Sequence, residues 1–177
     1  MDTNVYKKAA QKYRPLNIRR LFIAESPPHK KEDEELRYFY FEKVKGKDFL
    51  FRNLTMVLFP KEHEIHKEDE NKKYLLNKLK NNGDFLIDAC EYPINQLQLA
   101  KRNKIIETES KNLIKRLKNL VTKDTEIILI KKNIYGILAQ KLKDTNTGFN
   151  VLNKEFIDFP SQGNQKKFRD KLKDLLQ

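Results

Sequence analysis

"RRLFIAESPPHK", residues 19–30, decides how the rest of the chain is read. Its first half is a short apolar run with no apolar–polar alternation. That pattern predicts a strand covered on both faces, as in a parallel sheet. Its second half holds a carboxylate, a hydroxyl, two prolines and a histidine. Proline fixes φ near −65°, so the most hydrophobic early segment delivers Glu25 and Ser26 to a stiff loop.

Working outward, two further runs have the same character: "DFLIDA" (84–89) and "TEIILI" (125–130). "NVLNKEFIDF" (150–159) is a less regular fourth. Helical spacing fills the intervals. Residues 3–13 predict a helix with Thr3 or Asn4 as cap and Pro15 as stop. Residues 48–59 have helical spacing up to Pro60. Residues 61–83 begin as a charged segment and end as a helix stopped by Gly83. Residues 103–121 form the clearest amphipathic helix, with Ile105, Ile106, Leu113, Ile114, Leu117 and Leu120 on one face. Residues 133–143 and 164–176 complete the set. "KKEDEELRYFYF" (30–41) turns from polar to aromatic and predicts a loop leading into a helix. Strand and helix alternate, so the expected fold is a single α/β domain over residues 1–177, a three-layer α/β/α arrangement around a four-stranded parallel sheet. Residues 61–73 are the expected mobile, charged insertion.

The chain of 177 residues is 38% hydrophobic and 35% charged, with a single cysteine, Cys90. One cysteine excludes an internal disulfide framework and a cluster held by four cysteines. No apolar run approaches membrane-spanning length, which predicts a soluble, cytoplasmic monomer with no membrane partner. The formal net charge is +12. Such an excess points to an acidic partner, nucleic acid first. A base-composition bias toward Lys, Asn and Ile is the competing origin of the same charge.

Five glycines, with neither G-x-G-x-x-G nor G-x-x-x-x-G-K-[ST], argue against a nucleotide-cradling loop. No G-x-S-x-G elbow is present. His63 and His66 in "HEIH" make half of a zinc site at most, and "EIILIKK" (126–132) offers Glu126 without the clustered acids of a metal-dependent nuclease. No metal and no cofactor are expected.

In open α/β sheets, ligands bind beyond the carboxyl ends of the strands. The segments there are "ESPPHK", "CEYPIN", "KKN" and "PSQGNQ". Polar or ionisable groups occur in all four and proline in three, so the expectation is one shared rim.

With those segments in view, the chain resembles the uracil-DNA glycosylase superfamily. "AESPP" (24–28) resembles the motif after that family's first strand, with Glu25 and Pro27 at matching spacing. "FPSQGNQ" (159–165) resembles the motif before its final helix, with Pro160 and Ser161 matched. "DFLIDACEYP" (84–93) resembles the segment after its second strand. Ala24 and Pro28 stand where the family motif has glycines, and Phe159 stands where it has histidine.

The resemblance implies a DNA glycosylase, a hydrolase of DNA repair acting on a flipped damaged or deaminated base. Glu25 is then the catalytic carboxylate. Tyr38 or Phe39 stacks on the base, and Ser26, Asp88 and Phe159 complete the base site. His29, Ser161, Gln162 and Asn164 contact phosphate, helped by amides at a helix N-terminus. Two rival readings remain: a non-catalytic nucleic-acid-binding member of the fold, and an α/β enzyme on a small acidic metabolite. Structurally, "RYFYF" (37–41) also suits core packing, "SQGNQ" (161–165) suits a helix start capped by Ser161 or Asn164, and Asp88 suits a loop brace.

Overall fold

In the computed structural model, the residues described are 4–30, 36–44, 46, 48–65, 71–144 and 148–177. Helix α1 (Asn4–Lys12) precedes strand β1 (Arg20–Ala24). Helices α2 (Phe49–Leu58), α3 (Pro60–Ile65) and α4 (Lys72–Asn81) lead to β2 (Asp84–Asp88). Helix α5 (Leu99–Lys118) leads to β3 (Glu126–Leu129), followed by α6 (Lys132–Lys143) and α7 (Gln165–Leu176). The sheet order is β2-β1-β3, and both pairings are parallel. All five residues of β1 are buried, as its unbroken apolar run requires of a strand packed on both faces. Helix α2 packs against α7, and α5 against α6.

Local chemistry sets the element ends. Asp48 caps α2 by accepting a hydrogen bond from the Phe51 amide at 3.1 Å. Pro60 does more than stop α2. It opens α3, a first-turn position where its missing N–H costs nothing. Gly83 takes φ +76° between α4 and β2, and a Cβ there would lie 3.0–3.2 Å from Asn17 and Arg19. At that end of the sheet, Arg20 Nε donates to Asp84 Oδ1 at 2.8 Å across registered neighbours, both buried.

The expected fourth strand is corrected by the structure. Residues 150–159 meet β3 only through two isolated parallel bridges, Ile127 with Val151 and Ile130 with Ile157. The reason is Asn153, which is 1% exposed. Its Oδ1 accepts from the Leu129 amide at 2.7 Å, and its Nδ2 donates to the Leu129 carbonyl at 3.1 Å. A side-chain amide thus replaces one peptide of the ladder. Tyr40 does the same on the other edge: its hydroxyl donates to the Leu86 carbonyl at 2.8 Å and accepts from the Leu86 amide at 2.7 Å. On each sheet edge one side chain takes a place in the ladder, joined on the β3 side by backbone bonds from residues 150–157, which reduces the open donors and acceptors that make edge strands prone to wrong pairing.

The helix expected after residue 30 is absent from the described part of 36–44, which turns at Tyr38–Phe41. Residues 66–70 of the charged insertion, His66 among them, lie outside the described residues. His63 Nε2 is 2.9 Å from Thr55 Oγ1. Among the described residues no helix is long and apolar enough to cross a membrane.

Replacing Asn153 by Leu strands two buried backbone groups of Leu129. A loss of about 2–4 kcal/mol is expected in urea unfolding, since each unsatisfied group costs roughly 1–3 kcal/mol. Tyr40→Phe tests the opposite edge and is expected to cost about 1–3 kcal/mol by the same physics.

Candidate functional site

Because β1 lies between β2 and β3, the chain leaves it toward one neighbour and returns on the other side. The crevice beyond the strand ends is therefore a switch point of the kind where α/β sheets bind ligands. The loops there are locked together. The Ala89 amide donates to the Ala24 carbonyl at 2.8 Å and the Cys90 amide to the Glu25 carbonyl at 3.0 Å. Ser26 Oγ accepts from the Ile94 amide at 3.4 Å, Asn95 Oδ1 from the His29 amide at 2.8 Å, and the Pro28 carbonyl from Tyr6 Oη at 2.7 Å.

Glu25 is 6% exposed and fully engaged. Its Oε2 accepts from Lys131 Nζ at 2.6 Å and from Arg102 at 3.1 Å, and its Oε1 accepts from Asn133 Nδ2 at 2.7 Å. A buried carboxylate survives as an anion when paired and hydrogen-bonded in this way. Lys131 holds its position at a conformational cost. Its φ of +89° and ψ of 140° lie in a region that residues with a Cβ rarely adopt, worth about 1–3 kcal/mol of strain. The Lys131 amide donates to the Ile157 carbonyl at 2.8 Å, so backbone and ammonium are fixed at opposite ends. Its Nζ lies 5.9 Å from the centroid of the Phe159 ring.

A cavity of about 240 Å³ opens beside this cluster. Glu25, Ser26, Tyr38, Phe39, Asp88 and Phe159 all line it. These are the residues expected to bind or act on a base, drawn from four separate segments. Tyr38 and Phe39 also belong to the core, so their packing and cavity-lining roles coincide. The ring of Phe159 is 36% exposed and contributes an apolar wall where the resembled motif carries a histidine. His29, Ser161, Gln162 and Asn164 do not line the cavity. Asn164 is the residue before α7, with no side-chain cap bond, and Ser161 donates its amide to the Phe159 carbonyl at 2.8 Å.

Asp88 differs from Glu25. Burial, opposed by Arg116 and reinforced by Glu25, pushes its carboxyl up to about 7 from an ordinary 3.8. Arg116 donates instead to the backbone carbonyls of Asp88 and Ala89, at 2.9 and 2.7 Å. The Cys90 thiol is pushed up to about 12, first by burial and then by Glu109. It therefore stays protonated and is no nucleophile near neutral pH. Tyr38 is raised above its ordinary value by burial and by Asp88.

Sequence reasoning missed Arg102, Lys131 and Asn133 as individual residues, and Arg37 and Asn95 on the cavity wall. "KKN" and "CEYPIN" were marked as rim segments, which was the available signal for Lys131, Asn133 and Asn95. Nothing local marks Arg102, 77 residues from Glu25. Among the described residues, no cluster of three His, Cys, Asp or Glu has the arrangement of a metal site.

Two measurements check this geometry. Lys131→Gly and Lys131→Ala both lose the ammonium, but only glycine relaxes the positive φ. The glycine variant is expected to be the more stable of the two by about 1 kcal/mol. Asp88 binds its proton more tightly folded than unfolded, so its stabilising contribution is complete below pH about 4 and is lost as pH rises through about 7. Asp88→Asn is therefore expected to flatten the fall of melting temperature across that interval, gaining on the order of 2 kcal/mol over the unsubstituted chain at alkaline pH.

Compared with family models, curated proteins and solved structures, the chain has no significant match.

Proposed function

We propose that the chain is a DNA glycosylase-like protein that seats one extruded base in the cavity beside Glu25 and hydrolyses its bond to deoxyribose. The observation that carries this reading is the cavity itself, where aromatic walls from Tyr38, Phe39 and Phe159 face two carboxylates of different character. A volume of about 240 Å³ falls just below the roughly 300–1,000 Å³ of pockets for whole small molecules, which suits a single planar base. Aromatic faces supply stacking of about 1–3 kcal/mol per base. A net charge of +12 supplies the phosphate attraction that extruding a base requires.

In hydrolysis the bond from sugar C1′ to the base nitrogen breaks and its electron pair leaves with the base. Water oxygen then bonds to C1′, and the water proton is passed on to the base. Glu25, held anionic and immobile by Lys131, Arg102 and Asn133, is the fixed negative charge facing the cationic sugar. Phe159 has no donor to offer the departing base. Lys131, with its ammonium near that ring, the Asp88 carboxyl, Arg37 and Asn95 are donors on the cavity wall.

A second reading has its own observation. Arg37 and Lys131 both line the cavity, and a small anionic metabolite would satisfy the same cations without any nucleic acid.

The test is incubation with single-stranded and duplex oligonucleotides carrying uracil, hypoxanthine or xanthine, with abasic sites revealed by alkaline cleavage. Release from at least one substrate is expected. It should fall about a hundredfold or more in Glu25→Gln, in the range of removing one electrostatic catalytic group, with circular dichroism confirming that the variant folds. Salt-sensitive binding without release would replace hydrolysis by the non-catalytic reading. Absence of both, with stabilisation by an anionic metabolite in thermal shift, would favour the metabolite enzyme.

A further inference from the structure

Asp88, at the end of β2, lines two cavities. The larger is the one described above. The smaller, about 90 Å³, is lined on the other side by Asp88, Tyr38, Pro27, Tyr6 and Arg116 among others. Among the described residues no donor hydrogen-bonds to its carboxylate oxygens, and the Tyr38 hydroxyl beside it is likewise without a hydrogen-bond partner. Arg116 spends its hydrogen bonds on the backbone carbonyls of Asp88 and Ala89. This contrasts with Glu25, whose two oxygens take three donors. A half-buried carboxyl left open toward a cavity is a group waiting for a ligand edge, since unsatisfied polar groups in such places are costly.

We infer that Asp88 meets the ligand as a neutral carboxylic acid, so that the cavity selects a planar ring edge on which an acceptor stands beside a donor. This rests on the base-binding reading and specifies the class of base. A neutral carboxyl offers one donor and one acceptor side by side, and an ionised one offers two acceptors. The neutral form matches the carbonyl and adjacent N–H of uracil or hypoxanthine, or a ring nitrogen beside an amino group. The ionised form matches two adjacent donors, as on guanine. The groups acting on Asp88 are Glu25 from the β1 loop, Arg116 from α5, Tyr6 from α1, Tyr38 and Tyr40 from the aromatic segment, and Cys90 of its own loop. Lys7 and Glu91 line the smaller cavity with it, and Arg37, Asp48 and Lys131 the larger, while the hydrogen bonds of Arg116 go to backbone carbonyls.

The experiment is fluorescence anisotropy of the full chain with single-stranded oligonucleotides that carry one central deoxyuridine, deoxyguanosine or abasic tetrahydrofuran residue, from pH about 5.5 to about 8.5. The readout is affinity relative to the abasic strand at the same pH, which cancels backbone binding. For deoxyuridine that ratio is expected to rise about tenfold or more as pH falls through neutrality, and for deoxyguanosine to move the opposite way. Asp88→Asn, a permanent donor–acceptor pair of the same shape, should hold the deoxyuridine ratio at its acid-limit value at every pH. A deoxyuridine ratio above one but independent of pH, or a pH slope that persists in Asp88→Asn, would overturn this inference and leave the base pocket standing. A ratio of one for both bases at every pH would overturn the base pocket and this inference with it.

Discussion

A sheet of three parallel strands has one interior strand and two edges, and the structure depends on how those edges are closed. Strand β1 can be as apolar as it is only because both neighbours pair with it along its length. The neighbours in turn expose one row of amides and carbonyls each. Tyr40 answers that row on β2, and Asn153, with residues 150–157, answers it on β3. Buried polar atoms must find partners, and a phenol or amide that both donates and accepts supplies them without a further full strand.

Closing the sheet in this way fixes the site. Parallel register carries the ends of β1 and β3 to the same level, so Glu25 and Lys131 meet although 106 residues separate them. The bridge from Ile157 to Lys131 belongs to the edge closure and to the cavity at once, because the same segment continues to Phe159. The strained backbone of Lys131 is the junction of both. The result is a carboxylate held by an ammonium, a guanidinium and an amide, with a second carboxyl beside it that is held by none.

Much of this was legible. Three strands fell where continuous apolar runs placed them, since a run without alternation has few ways to be buried. Helix ends near Pro60 and Gly83 followed proline and glycine, whereas Asn164 makes no side-chain cap bond at α7 and α5 begins four residues before the amphipathic run at 103, at Leu99. The fourth strand was misjudged because Asn153 looks like an ordinary polar residue in a strand-like segment, and its ladder role exists only opposite Leu129. Glu25 was legible as a rim residue because it follows β1 directly and Asp88 because it ends β2, whereas Tyr38, Phe39 and Phe159 were singled out only by the family resemblance. Arg102 was not, because a basic residue in a lysine-rich chain carries no local mark.

By itself the sequence determined which segments are buried on both faces and which stiff, polar loops follow them, because hydrophobic periodicity and proline geometry act within a few residues. The tertiary structure alone decided which charges meet, which edge groups a side chain must satisfy, and that Glu25 is saturated while Asp88 is open. Those outcomes depend on distances between segments far apart in the chain, because a hydrogen bond forms only near about 3 Å and exposed charges are screened beyond roughly 10 Å.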